Sequence, residues 1–167
     1  ADFDSIDPHI MLASDTDRIL FNVYEGLTGV DASGNIVPAL AESWSWSADG
    51  MEVTFKIRKG VKFHDGSDLT TSDVKFTLER AKTMSSTISS ASHIDEVIID
   101  NDHEFTLKLT APYPAILYVL GNMNFSIVSE DAVTAAGDSY GGQPIGSGPF
   151  KFVEWVPLDH WTIERFD

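Results

Sequence analysis

The chain has no cysteine, which removes disulfides, thiolate nucleophiles and cysteine-ligated zinc or iron–sulfur sites from consideration. Positive charge is also scarce, with 11 Lys and Arg against 26 Asp and Glu and a formal net charge of -15. A phosphate-tracking surface needs basic patches, so this balance argues against nucleic acid as a partner and against adsorption to anionic membranes. No apolar run approaches the roughly 18 residues that cross a bilayer, and direct membrane insertion is not expected. The opening Ala1-Asp2-Phe3-Asp4-Ser5 is acidic where a secretory signal is basic, so no such signal is expected within the chain, as after processing. Internal repeats and Pro/Gly-rich linkers are missing too. No Gly-x-Ser-x-Gly elbow, His-Glu-x-x-His pair or phosphate loop occurs. The five histidines, His9, His64, His93, His103 and His160, lack dense ligand spacing, so no metal or cofactor is expected, and only His9 merits attention as a ligand.

What is present reads as one ordinary globular unit of 167 residues, 43% hydrophobic and 11% aromatic. A first helix is expected after Asp7-Pro8, capped by Ser14 or Asp15, with Ile19, Leu20, Val23, Tyr24 and Leu27 in helical period and Gly26 and Gly29 ending it. Asp31 to Asn35 reads as a turn. Trp44 to Ser47, then Ala48-Asp49-Gly50, then Met51, Val53, Phe55 and Ile57 alternating with polar residues predict a hairpin with one buried face. Asp65-Gly66 predicts another turn. Thr70 followed by Asp73 has capping-box spacing, with Leu69 and Val74 placed as a hydrophobic staple, and a helix is predicted to about Met84. Ser85 to Ser92 reads as an exposed loop. Ile94 to Asp100 and Glu104 to Leu109 predict a second hairpin, Ala115 to Leu120 a short helix, Phe125 to Val128 a strand, and Ser129 to Ala136 a helix stopped at Gly137. Phe150 to Val156 and His160 to Phe166 predict a last pair of strands. The fold class is α+β, a mixed, mostly antiparallel sheet with short helices.

Residues 36–66 carry a long constellation of fixed spacings: Pro38-Ala39-Leu40-Ala41-Glu42-Ser43-Trp44, Asp49-Gly50, Thr54-Phe55-Lys56-Ile57-Arg58, and Gly60-Val61-Lys62-Phe63-His64-Asp65-Gly66. Ile6-Asp7-Pro8-His9, Tyr24-Glu25-Gly26-Leu27, Leu69 to Val74, Ile145-Gly146-Ser147-Gly148-Pro149-Phe150 and the terminal Trp161 to Asp167 extend it over nearly the whole chain. Together they resemble the family 5 extracellular solute-binding proteins that deliver peptides or nickel to ABC importers. Thr71 stands where the family usually has alanine, and Ser147 where it has threonine. Family members are much longer, so the resemblance implies an N-terminal fragment. It would be a partial first lobe of a periplasmic-binding-protein-like fold (type II, cluster C). Residues of about 20–140 would form its small subdomain, and 1–19 and 141–167 edge elements of the main first-lobe domain.

The residues of 36–66 read as structural, with glycine turns, core aromatics and strand ends, whereas binding groups are sought on loops carried by rigid elements. By resemblance, the loop after Pro8, including Met11 and Leu12, approaches the ligand cleft, as do Asn122, Met123, Asn124 and Phe125 and the turn at Ser147. Met and Phe supply an adaptable apolar wall, and Asn supplies donors and acceptors. Met11 and Phe125 also fit a core role, and Asn122 a cap. The implied protein is not an enzyme. It is an extracytoplasmic receptor, periplasmic or a cell-surface lipoprotein whose lipid-bearing cysteine would precede Ala1. It would capture an oligopeptide, dipeptide or related small solute and pass it to an ABC permease. The chain alone is expected to bind solute weakly, and a truncated lobe face would invite dimerisation. Two other readings stay open: a stand-alone binding module, and an acid/base hydrolase using a pair such as Asp65 and Asp73.

Overall fold

Alternation of apolar and polar residues builds the principal sheet of this computed structural model, which describes residues 5–10, 20–156 and 159–166. Strands β3 (Ala41–Trp46), β4 (Glu52–Ile57), β5 (Ile94–Asn101) and β6 (Glu104–Leu109) pair antiparallel in the order β3-β4-β6-β5. On one face Val53, Phe55, Ile57, Phe105, Leu107 and Leu109 are buried, and the directly paired rings of Phe55 and Phe105 stack with centroids 5.1 Å apart. Truncating either ring should cost about 3–5 kcal/mol, the usual range for a buried phenylalanine. The opposite face is polar: Thr54 and Thr106 share a hydrogen bond of 2.9 Å, and Lys108 pairs with Glu96 at 3.3 Å. Both expected hairpins are therefore found, with Gly50 at φ 71 in the first turn.

Helix α1 (Thr71–Ala81) covers the buried face through Val74, Leu78 and Ala81. Its capping box is complete: the Thr70 side chain accepts from the Ser72 N–H, and the Thr70 N–H donates to Asp73 Oδ2 at 2.9 Å. Asp73 Oδ1 also accepts the Glu130 N–H at 3.1 Å, at the start of another helix, α4 (Glu130–Ala136). One carboxylate thus caps two helix starts. Asp73→Ala should lower stability by about 1–2 kcal/mol in a thermal or urea melt of the intact protein, where a surface aspartate would give almost nothing. The helix is shorter than its sequence suggests. Thr87 Oγ1 donates to the Ala81 carbonyl at 2.7 Å and closes the helix end. The serine-rich segment beyond is not simply an exposed loop, since it forms α2 (Ile88–Ala91) with Thr87 and Ala91 buried.

Two further expectations are corrected. Residues 20–23 are helical, but the chain leaves the helix at Tyr24, and Gly29 lies in strand β1 (Thr28–Val30), paired with β2 (Ile36–Pro38). Tertiary bonds override helical periodicity: Leu27 N–H donates to the Leu120 carbonyl, and the Gly26 and Leu27 carbonyls accept from Leu40 and Ala41. The expected strand from Phe125 to Val128 pairs with no strand among the described residues. A 3-10 turn (Met123–Phe125) follows α3 (Ile116–Val119), and the extended residues after it bond outside any ladder, Ile127 N–H to the Glu25 carbonyl and Val128 N–H to Thr77 Oγ1. Ser129 caps α4 and Gly137, at φ 52, ends it. Strands β7 (Phe150–Val156) and β8 (His160–Arg165) form a separate hairpin with Val153, Val156 and Trp161 exposed. The candidate cap of the first helix, Ser14 or Asp15, lies outside the described residues.

Candidate functional site

Where the chain turns out of the helical residues 20–23 into β1, it passes the 121–126 segment and encloses a cavity of about 400 Å³. Phe21, Tyr24, Val30 and Met123 supply apolar surface, and Glu25 is the only charged residue lining it among the described residues. Close backbone crossing shapes it. A Cβ on Gly26 would stand 2.8 Å from the Leu120 carbonyl oxygen, and one on Gly121 3.0 Å from that of Thr28. The lining hydroxyls are already committed, Thr28 Oγ1 donating to the Leu117 carbonyl at 2.6 Å and Ser126 Oγ to Met123 Sδ at 3.2 Å. Tyr24 is buried, and its hydroxyl donates to Tyr140, which donates to the Ile145 carbonyl. Burial raises the pKa of both phenols and keeps them neutral. At the rim Phe21 is 60% exposed and presents an aromatic ring to solvent.

Behind this wall lies a buried ionic hub. Arg80 on α1 donates to both carboxylate oxygens of Asp7, at 2.9 and 2.5 Å, a bidentate pair between residues 12% and 1% exposed. Arg80 Nη1 also lies 2.7 Å from His9 Nδ1, and His9 Nε2 3.2 Å from the Ser126 carbonyl. Because guanidinium can only donate and a carbonyl can only accept, His9 is the neutral Nε2–H tautomer. Both ring nitrogens of His9, the one histidine singled out above for attention, are engaged in hydrogen bonds within the protein. Ser86 Oγ donates to the His9 carbonyl and closes the hub. The hub thereby fixes Ser126, which lines the cavity.

The hub makes stability depend on pH. Burial, reinforced by the Arg80 charge, holds His9 down from 6.5 to about 4. Between those values the unfolded chain binds a proton that the folded chain refuses, so stability is full above pH 6.5 and declines as pH falls towards 4. The loss should reach roughly 3 kcal/mol, at about 1.4 kcal/mol per unit. Burial alone would raise Asp7, but its Arg80 hydrogen bonds, the His9 N–H and the Arg80 charge outweigh that and lower it. Its contribution is therefore present above the ordinary value of 3.8 and is lost only at still lower pH. Urea midpoints of the intact protein at pH 7.5, 5.5 and 4.5 should fall steadily, and His9→Gln should flatten most of that slope.

Of the residues expected at the ligand cleft, Met123 lines the cavity and is 4% exposed. Asn122 is exposed on the adjoining turn, and its side chain accepts the Asn124 N–H at 3.4 Å; Asn124 is half-buried. Phe125 is buried in the sheet core. Ser147 stands behind the cavity, its hydroxyl donating to Glu25 Oε2 at 3.2 Å. Burial pushes the Glu25 carboxyl up, against the Ser147 hydrogen bond and the Arg58 charge. The flanking glycines serve the chain's own packing: a Cβ on Gly146 would lie 2.0 Å from the Val23 carbonyl oxygen, and one on Gly148 2.5 Å from that of Asn22. Met11 and Leu12 lie outside the described residues. Sequence reasoning missed Phe21, Glu25 and Ser126. Glu25 sat in a quoted motif whose Gly26 could have flagged a close backbone crossing.

Residues 35–167 match the family model described as bacterial extracellular solute-binding proteins, family 5 Middle. A glutathione-binding protein, GsiB of Pectobacterium atrosepticum, is 32% identical over 167 residues, covering 98% of this chain and 32% of that protein. The chain thus spans about a third of the length of the curated relatives it matches. Among solved structures, the binding protein AgaA of A. tumefaciens R10, in complex with agropinic acid, superposes with a TM-score of 0.91 at 28% identity, over 98% of this chain and 34% of AgaA. The periplasmic binding protein DppA of Helicobacter pylori, in complex with the peptide STSA, gives 0.90 at 27% identity, over 99% and 38%.

Proposed function

Since the chain belongs to the family 5 bacterial extracellular solute-binding proteins, we propose that it forms one wall of the solute cleft in an ABC-importer receptor. The observation that carries this reading is the superposition of nearly the whole chain on binding proteins holding solutes as different as agropinic acid and a tetrapeptide. The solute is a short peptide or a small amphipathic acid related to one. Residues of about 20–140 are the small subdomain, and 5–10 with β7 and β8 belong to the main first-lobe domain. The β7–β8 hairpin supports that division: it is a sheet of its own, packed inward through Phe152 and Ile163, while Val153, Val156 and Trp161 stay exposed and ask for cover.

Phe21, Asn122, Met123 and Asn124 contact the solute, Phe125 and Ser147 act from behind, and Met11 and Leu12 remain assigned to binding from the sequence alone. Solute binding draws a second lobe over this wall about a hinge, and the closed form engages the permease. The protein works outside the cytoplasm, in the periplasm or tethered by a lipid. Its chemistry is capture and release without bond making, as the binding-protein relatives imply. Calorimetric titration of the intact protein with glutathione and with di- to tetrapeptides should find a micromolar or tighter solute. Phe21→Ala should weaken that solute about tenfold while leaving the melting temperature nearly unchanged, since the ring is exposed. Absence of binding across the whole panel would count against the peptide class.

A further inference from the structure

The histidine of the Lys62-Phe63-His64-Asp65-Gly66 motif reaches across the molecule. His64 and the Gly146-Ser147-Gly148 turn are more than 80 residues apart in sequence yet make three hydrogen bonds. His64 N–H donates to the Gly146 carbonyl at 2.9 Å, and Gly146 N–H donates to His64 Nδ1 at 3.3 Å. His64 Nε2 lies 2.9 Å from the Gly148 carbonyl. The ring of Phe166 meets the imidazole edge-on, centroids 4.9 Å apart. On its far side the turn is pinned to the cavity wall, Gly148 N–H donating to the Val23 carbonyl at 2.9 Å and Ser147 to Glu25.

We propose that His64 is the positioning residue that clamps the Gly146–Gly148 turn against the cavity wall, and that its protonation releases the turn. A backbone N–H at Nδ1 and a backbone carbonyl at Nε2 are both satisfied only by the neutral Nε2–H tautomer. An imidazolium carries a proton on Nδ1 and sets it against the Gly146 N–H, turning an attraction into a repulsion. The groups facing the ring are Asp65 on its own turn, Lys151 on β7 and, beyond Ser147, Glu25. Burial, with the Lys151 charge, lowers the pKa of His64 against the Gly148 bond and Asp65. The turn is therefore held at neutral pH and loosens only in acid. Glu25 and Tyr24 both line the cavity and both lead to this turn, directly or through Tyr140, so release of the turn reshapes the wall. That last step rests on the cavity's proposed role in solute binding; the clamp does not.

The test is solute-free. In the intact protein, ¹⁵N shifts of the His64 ring report its tautomer and its titration, while amide exchange, corrected for intrinsic rates, reports Gly146. The expected result is an Nε2–H tautomer at neutral pH and a loss of about tenfold in Gly146 protection across the same pH range in which His64 titrates, the scale of one lost hydrogen bond plus repulsion. Amides of the β4–β6 ladder should hold. His64→Phe, which keeps the ring contact, should leave the turn unprotected at every pH. An Nδ1–H tautomer, or Gly146 protection unchanged through the titration of His64, would overturn the clamp, and it would do so without touching the transport reading.

Discussion

Replacing Arg80 with methionine should destabilise the intact protein by about 3–5 kcal/mol, enough to unfold many domains of ordinary stability. The substitution removes the cation that binds both oxygens of Asp7, a carboxylate 1% exposed, and leaves it the His9 N–H as a donor. It also withdraws the donor to His9 Nδ1, so a second buried polar atom loses its partner. Methionine fills most of the space, which keeps cavity formation from dominating the effect. Urea unfolding at pH 7 measures the loss. The double change Arg80→Met with Asp7→Asn should recover a substantial part of it, because no buried charge then remains unpaired. A double variant no more stable than Arg80→Met alone would mean that the cost lies in packing and not in the ion pair.

The second large effect belongs to Gly146. Its positive contribution is the absence of a side chain: an added Cβ would stand 2.0 Å from the Val23 carbonyl oxygen and 2.8 Å from the Val23 carbonyl carbon. Those atoms are backbone at the end of the helical residues 20–23, so neither a rotamer change nor a small hinge relieves the clash. Gly146→Ala should therefore cost about 3 kcal/mol or more, at the severe end of overpacking. Solute affinity should fall with it, because the displaced segment runs directly into Tyr24 and Glu25 of the cavity. Gly142→Ala is the control: a Cβ there meets nothing within 4 Å, and its melting temperature should stay within a degree or two of wild type.

Much of this architecture could be read from local pattern. Period-two alternation from Met51 to Ile57, the Thr70-Asp73 capping box and the Asp-Gly turns each state a backbone preference within a few residues, and the structure follows all of them. The family was legible for a related reason, since its motifs are mostly turns and strand ends with strict steric demands. Long-range bonds were not. Arg80 and Asp7 are separated by 73 residues, and nothing near either names the other. The β-branched residues after Phe125 look like a strand, yet strand identity depends on a neighbouring ladder, and that segment has none among the described residues. The 36–66 motif reads as structural, but the particular job of its histidine, bonding a turn more than 80 residues away beside the cavity wall, is not visible in local pattern. Of the expected binding residues, Met123 lines the cavity while Phe125 turns to the sheet core, a difference of two positions that a 3-10 turn decides.

Amide hydrogen exchange of the intact protein, with and without a solute found by titration, tests most directly whether this chain is a wall of the cleft. Protection should rise in two stretches, residues 20–30 and 120–126, which supply most of the cavity lining, and stay constant along β3 to β6. A solute that binds tightly yet protects neither stretch would contradict the assignment and move the binding surface elsewhere in the protein.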